Sequence, residues 1–241
     1  MIGRAGFHEV FRVISAKAIQ AIGAAGDGPG TGVPWAGAAD GESAADRIVP
    51  CFTPGTMVTT RSGKRAVETL RPGDMLLTRD RGFQPVVWRG RRRVAGAALA
   101  RDAAPVTIRA GALGPGQPER DMTVSPGHRM LSTDRDLLRS LGEPEALVEA
   151  RALTGLPGIG RPAMGAVGYV HVLMEKHEVI LAENTWTESL RLTTALLREL
   201  SAAGVDIGQT LARSGDRAAA TAQAPARHCL TVTEAVQGLR V

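Results

Sequence analysis

Two kinds of side chain in this sequence could carry chemistry near neutral pH, thiols and imidazoles. The chain of 241 residues has two cysteines, Cys51 and Cys229, and five histidines. A cysteine thiolate is a strong nucleophile, and an imidazole can give or take a proton near pH 7. The two cysteines lie far apart in the sequence and have no metal-binding spacing, so we expect neither a metal nor another cofactor.

Cys51 is the candidate nucleophile because of the pattern that it opens. The segment reads CFTPGTMVTTRSGKRAVETLRPGDMLLT, with Gly-Thr close behind the cysteine, a strand, a glycine turn, a Val-Glu-x-Leu step, and Gly-Asp before another strand. This string resembles the opening block of Hint domains, the self-cleaving module of hedgehog proteins and inteins. The resemblance implies a mainly β, Hint-type fold in which Cys51 attacks its own chain.

Two later segments extend the resemblance. Ser125-Pro126-Gly127-His128 stands where the family carries Thr-x-x-His, and the serine keeps the hydroxyl group. Residues 177–189, HEVILAENTWTES, resemble the closing strand pair. Inteins end that block with His-Asn, whereas this chain has Glu188-Ser189. The sequence is thus most similar to a bacterial Hint branch that resembles hedgehog autoprocessing more than splicing.

The resemblance implies a specific reaction. Cys51 would attack the carbonyl carbon of Pro50 in an N-to-S acyl shift, and His128 would protonate the departing nitrogen. Ser125 would orient the scissile amide, while His177 either assists the later step or makes a structural hydrogen bond. Water, a thiol or another small nucleophile would then cleave the thioester. The substrate would be the chain's own N-terminal flank, so the domain would act once rather than as a multiple-turnover enzyme. Because Ser189 replaces the intein Asn, no splicing is expected.

The remaining sequence supplies the elements that must position these residues. Short β-branched runs between turn signals predict mostly antiparallel strands, at residues 57–60, 75–78, 85–88, 106–108, 121–124, 167–174 and 179–182. The last two are expected to form a pair. Helical periodicity predicts helices over 7–22, 192–200 and 231–239. We therefore divide the chain into an N-terminal helix and Gly/Ala/Pro linker (1–47), a Hint domain (48–190) and a helical C-terminal appendage (191–241).

Two other functions, nucleic-acid binding and a non-catalytic scaffold, and the cellular location of the protein can also be judged from the sequence. A net charge of +5 invites nucleic-acid binding, but the basic residues are mostly scattered arginines, so we expect no nucleic-acid partner. The cluster of arginines at 89–93 is expected to be a solvated strand edge. The charges within residues 7–22 predict no signal peptide, hence a cytoplasmic protein or signal-independent export, and no membrane span is expected.

The other alternative function is that of a non-catalytic, protein-binding Hint scaffold, since the rigid ring of Pro50 could slow the attack of Cys51.

Overall fold

The computed structural model describes residues 49–95, 104–139, 141–202 and 222–238. The predicted helix over 7–22 and the linker after it lie outside these ranges. The described residues form mainly strands with a few short helices, which confirms the mainly β class. No helix within the described ranges is long and apolar enough to cross a bilayer.

The strands follow one another closely along the chain. They are β1 (Met57–Thr60), β2 (Gly63–Ala66), β3 (Met75–Thr78), β4 (Gly82–Ala95), β5 (Val106–Ile108), β6 (Met122–Val124), β7 (Arg129–Ser132), β8 (Ala146–Glu149), β9 (Ile159–Gly160), β10 (Ala166–Met174), β11 (Val179–Ala182), β12 (Thr185–Glu188) and β13 (His228–Cys229). The α-helices are α1 (Arg135–Leu138), α2 (Thr194–Ala202) and α3 (Val232–Gly238), and 3₁₀ turns cover Val67–Thr69 and Ala150–Leu153.

Most strands belong to one curled sheet. Its order is β10-β4-β3-β1-β11-β12-β7-β8-β13, with β2 attached to β1, and β6-β5-β9 form a second, three-stranded sheet. The pairs are antiparallel apart from β8 with β13. The predicted strands are confirmed, but the expected pairing of the last two is wrong: β10 pairs with β4 and β11 with β12. Although β10 and β11 follow each other in the sequence, they are not neighbours in the sheet, because β10 forms a long two-stranded ribbon with β4.

The arginine cluster lies inside β4, on the part of that strand that pairs with β10. The Arg89 side chain donates to the backbone oxygen of Leu70, and the Arg91 side chain donates to that of Glu68. Both guanidinium groups therefore fasten the strand to the neighbouring 3₁₀ turn and the residue that follows it.

The core contains mainly Val, Leu, Ile and Met side chains contributed by both sheets. The segment 222–238 also contributes to it, because Leu230 and Ala235 are buried and the Leu230 amide donates to the Leu147 carbonyl. Arg227 adds hydrogen bonds to Glu145 at 2.7 Å and to Asp80 at 2.6 Å. This segment thus packs into the β structure, while the division of the chain at residues 47 and 190 stays a prediction.

The packing of the C-terminal segment generates a stability test. Leu230→Ala should lower the free energy of unfolding by about 2–5 kcal/mol, the range for a buried leucine that leaves a cavity. Met164→Ala is the matched control, because Met164 is 45% exposed and its loss should change stability by no more than about 0.5 kcal/mol. Urea unfolding measures both. Equal effects would show that residues 222–238 do not belong to the cooperative core.

Candidate functional site

The backbone around Cys51 is inserted between strands of the two sheets. Phe52 exchanges two backbone hydrogen bonds with Val170 of β10, at 2.9 and 2.8 Å. On its other side it forms a bridge to Val124 of β6, and the Ser125 amide donates to the Cys51 carbonyl at 3.0 Å. Cys51 immediately precedes Phe52, and this backbone pairing therefore fixes it between the end of β6 and the middle of β10.

Alternation along these strands decides which side chains meet. Phe52 and Val170 point into the main core, whereas Cys51 packs in a separate buried cluster with Val167 and Tyr169. Successive residues of a strand face opposite sides. The next residue of β10 on the side of Cys51 is therefore His171.

Polar side chains surround the Pro50–Cys51 peptide bond. The Cys51 amide donates to Ser125 Oγ at 3.0 Å, and Ser125 Oγ in turn donates to the Val49 carbonyl at 3.1 Å. The Cys51 thiol donates to the same Val49 carbonyl at 2.9 Å. His171 Nδ1 lies 3.4 Å from Cys51 Sγ and 3.2 Å from the Pro50 carbonyl oxygen. The thiol, the amide nitrogen and the carbonyl oxygen of this junction thus each contact a polar group.

His171 is a site residue that the sequence analysis missed. It has no motif around it, because it lies within the apolar run of β10. The available signal was its place in the alternation of the strand. Val167, Tyr169, His171 and Leu173 share one face, so an imidazole interrupts an otherwise apolar row.

His128, a predicted site residue, is fully buried beside Phe52, with ring centroids 4.5 Å apart. The Thr187 hydroxyl donates to the Arg129 carbonyl, so His128 Nε2 carries the hydrogen of its own 2.5 Å contact with Thr187 Oγ1. Nδ1 is then an unprotonated, buried atom that no hydrogen-bonding group of the described residues reaches. Burial lowers the pKa of His128 to about 4, although the Glu188 charge opposes the shift. The resting imidazole is therefore neutral.

His177 is engaged at both ring nitrogens. Nδ1 accepts from the Ala226 amide at 3.0 Å, which leaves Nε2 as the donor to Glu188 at 3.0 Å. Glu188 also accepts from the Arg129 amide at 2.8 Å. Burial alone would raise the pKa of Glu188, but the hydrogen bond from His177 and the charge of Arg129 hold it below its usual value. The geometry of His177 supports the structural alternative for this residue.

The residues in the place of the intein His-Asn pair are part of the sheet. Ser189 Oγ accepts from the Glu178 amide at 3.0 Å, and the Ser189 amide donates to the Glu178 carbonyl at 2.9 Å. The Leu190 amide donates to the Val172 carbonyl at 2.7 Å. This junction is thus held by ordinary backbone pairing.

The second cysteine lies elsewhere, on β13, and no disulfide joins it to Cys51. Burial raises the pKa of the Cys229 thiol, which makes the reactive thiolate harder to form. Within the described ranges, no cluster of three or more His, Cys, Asp or Glu side chains could hold a metal ion.

The buried, neutral His128 should make stability depend on pH. Its folded pKa of about 4 lies below the unfolded value of about 6.5. As pH falls from about 6.5 to about 4, the unfolded chain therefore takes up a proton that the native chain excludes, and stability is lost. Between pH 7 and pH 5 this group should cost the native state about 2 kcal/mol.

His128→Gln should lose this contribution, so its free energy of unfolding should fall less between pH 7 and pH 5 than that of the wild type. His228→Gln, at an exposed histidine of β13, is the control and should keep the wild-type fall. Urea unfolding at the two pH values measures the difference. An identical fall in wild type and His128→Gln would contradict the depressed pKa.

Comparison with known proteins gives similar solved structures and one sequence family. No curated protein sequence matches the chain. Among solved structures it is similar to the gp41-1 intein, at 12% identity over 57% of this chain and 97% of that one, with a TM-score of 0.34. It is also similar to a bacterial intein-like domain from Clostridium thermocellum (14%, 57% and 96%, TM-score 0.35) and to a DnaB intein from Synechocystis sp. PCC 6803 (11%, 58% and 98%, TM-score 0.35). The sequence model described as "Hint domain" matches residues 50–194, more than half of the chain, and the protein therefore belongs to the Hint domain family.

Proposed function

We propose that this Hint domain cleaves its own chain through a thioester at the Pro50–Cys51 bond. Membership of the family indicates autoprocessing in general. The observation that carries the specific proposal is the contact set of one peptide bond: Ser125 Oγ on its nitrogen and His171 Nδ1 on its oxygen, with the Cys51 thiol against the same imidazole. A hydroxyl on the amide nitrogen and an imidazole that can become protonated beside the carbonyl oxygen are suited to assist the acyl shift.

The first step moves the acyl group from nitrogen to sulfur. A bond forms between Cys51 Sγ and the carbonyl carbon of Pro50, and the carbonyl electron pair moves to oxygen. The bond from that carbon to the Cys51 nitrogen then breaks, and the nitrogen takes up a proton to become a free amine. In total one proton leaves the thiol and one reaches the nitrogen.

Ser125 and His128 are the proposed partners of the departing nitrogen. Ser125 Oγ already accepts the amide hydrogen, which orients the nitrogen lone pair as the bond breaks. His128 would deliver the proton. Because its Nε2 hydrogen is used by Thr187, the proton would be taken up and passed on at Nδ1. The resting imidazole is neutral, so the proton that it passes on would be the one released by the Cys51 thiol. This transfer would belong to the tetrahedral stage, when the negative charge nearby favours the imidazolium.

The second step is attack on the thioester by water, a thiol or another small nucleophile, which releases the segment that precedes Cys51. Splicing would also need a succinimide at the C-terminal junction and a nucleophile after it. Ser189 has no side-chain amide, and Leu190 has no nucleophilic atom. The proposal is therefore N-terminal cleavage without splicing.

The second candidate function is that of a non-catalytic Hint scaffold that binds another protein. One feature favours it: Pro50 supplies the scissile carbonyl, and its ring restricts the backbone that must become tetrahedral. A Pro50→Gly variant separates a blocked flank from a lost reaction.

The nucleophile can be tested with hydroxylamine, which cleaves thioesters. Wild type should release residues 1–50, Cys51→Ala should release nothing, and Cys229→Ala should behave as wild type because its thiol is remote from the junction. Intact mass measures the release. Equal release from Cys51→Ala and wild type would remove the thioester mechanism. If wild type releases nothing but Pro50→Gly does, the flank is the obstacle; if neither does, the scaffold function is favoured.

The absence of splicing is a separate prediction. Dithiothreitol or hydroxylamine should leave residues 51–241 as one piece, since the Ser189–Leu190 junction offers no internal nucleophile. Ser189→Asn restores an amide, but Leu190 still offers no acyl acceptor, so this variant should give no ligated product either. Mass spectrometry of the products checks the wild type and the Ser189→Asn variant. A ligated product from the wild type would refute cleavage without splicing.

A further inference from the structure

We propose that His171 is a catalytic residue of this reaction: it accepts the proton of the Cys51 thiol and then stabilises the oxyanion that forms on the Pro50 oxygen. This inference rests on the proposed function and names the base that the acyl shift requires.

The position of one nitrogen carries the inference. His171 Nδ1 lies 3.4 Å from Cys51 Sγ and 3.2 Å from the Pro50 oxygen, and Nε2 is 3.8 Å from the same sulfur. The atom that would take the thiol proton is thus also the atom closest to the carbonyl oxygen that must receive charge. Cys51 and His171 are both almost fully buried, at 3% and 4% exposure, and a low dielectric strengthens such contacts.

The other described histidines have different partners. His128 Nε2 is bonded to Thr187, both nitrogens of His177 are bonded, and His228 is exposed on β13. Ser125 Oγ accepts from the Cys51 amide, so its own hydrogen goes to the Val49 carbonyl. His171 is the imidazole placed to act on the thiol.

The step balances with the groups present. The S–H bond of Cys51 breaks and its proton bonds to His171 Nδ1, while the sulfur electron pair forms the bond to the carbonyl carbon of Pro50. The carbonyl π pair moves to oxygen, which then faces the new Nδ1–H of the imidazolium. The charge created on oxygen and the charge created on the ring appear together and attract each other, so no external acid or ion is needed.

The fold positions the imidazole from its other side. His171 is paired with Gly90 across β10 and β4, and its ring stacks on the indole of Trp88, with centroids 6.4 Å apart and planes 16° apart. The indole lies over Gly90, where a Cβ would overlap the ring. Glycine at position 90 thus makes room for Trp88, and Trp88 limits the rotation of His171.

Two variants separate the two roles of His171. His171→Asn places an amide nitrogen near the position of Nδ1, so it keeps a donor for the oxyanion but has no base; His171→Ala has neither. All variants carry Cys229→Ala, which leaves one thiol, and His228→Gln is the matched control. The titratable groups beside His171 are Cys51, Tyr169 of the same buried cluster, and His128. Arg89 and Arg91 flank Gly90 on β4 but bond to Leu70 and Glu68 instead.

The first measurement is the rate of Cys51 alkylation by iodoacetamide from pH 5 to 9. Wild type and His228→Gln should react at lower pH than a free thiol, whose pKa is about 8.5, because His171 takes the proton. His171→Asn and His171→Ala should both lose this reactivity below pH 8. This readout does not require cleavage, so it tests the base even if no thioester forms.

The second measurement is hydroxylamine-dependent release of residues 1–50. Loss of the base should slow release about 10²–10⁴-fold in both variants, and His171→Asn should remain faster than His171→Ala because it keeps the donor. Thermal melts check that both variants fold. Wild-type alkylation profiles in folded His171→Asn would overturn the inference. Absence of release from both wild type and Pro50→Gly, with altered alkylation in the His171 variants, would instead refute the proposed function and leave the base assigned.

Discussion

The pairing of Phe52 with β10 is the constraint on which the site depends. Its two backbone hydrogen bonds to Val170 fix the register, and the Phe52 side chain, 2% exposed, anchors that register in the core. Because side chains alternate, a slip of one residue would exchange the faces. Cys51 would then enter the main core, and His171 would lie on the side away from it. The geometry of the candidate site is thus a consequence of burying one aromatic ring.

Burial determines which groups in this region carry charge. His128 has no acidic group bonded to its ring and stays neutral, whereas Glu188 stays ionised because His177 and Arg129 bond to it. Removing one partner of a buried carboxylate lowers the stability of a protein by about 3–5 kcal/mol. Replacement of His177 or Arg129 should therefore be strongly destabilising. Glu188 also accepts from the Arg129 amide, next to His128 in the chain. The residue in the place of the intein histidine therefore acts on the site by holding the backbone beside His128.

The sequence predicted the elements that have a local signal. Strands β1, β3 and β5 alternate buried and half-buried residues between turns. The cysteine and Ser-x-x-His motifs predicted three residues of the candidate site. Strand β8 was missed because all four of its residues are buried, so it shows no alternation. The partners of β10 depend on long-range pairing, which turn and strand signals do not encode. His171 was missed for the same reason, since its place in the candidate site depends on a contact with a residue 120 positions away.

The two junctions of the domain differ in what surrounds the peptide bond. At Pro50–Cys51 the carbonyl oxygen contacts an imidazole and the amide contacts a hydroxyl, both groups that can exchange protons. At Ser189–Leu190 the amides donate to the carbonyls of Glu178 and Val172, which hold no exchangeable proton. The chain then continues to α2 and to β13, whose pairing with β8 adds another strand to the sheet. A reaction that breaks the first junction leaves all the described strands in one chain. Breaking the second would place α2, β13 and α3 on a separate chain, held to the strands only by non-covalent contacts. The architecture thereby favours chemistry at the N-terminal side on grounds of stability as well as of reactive groups.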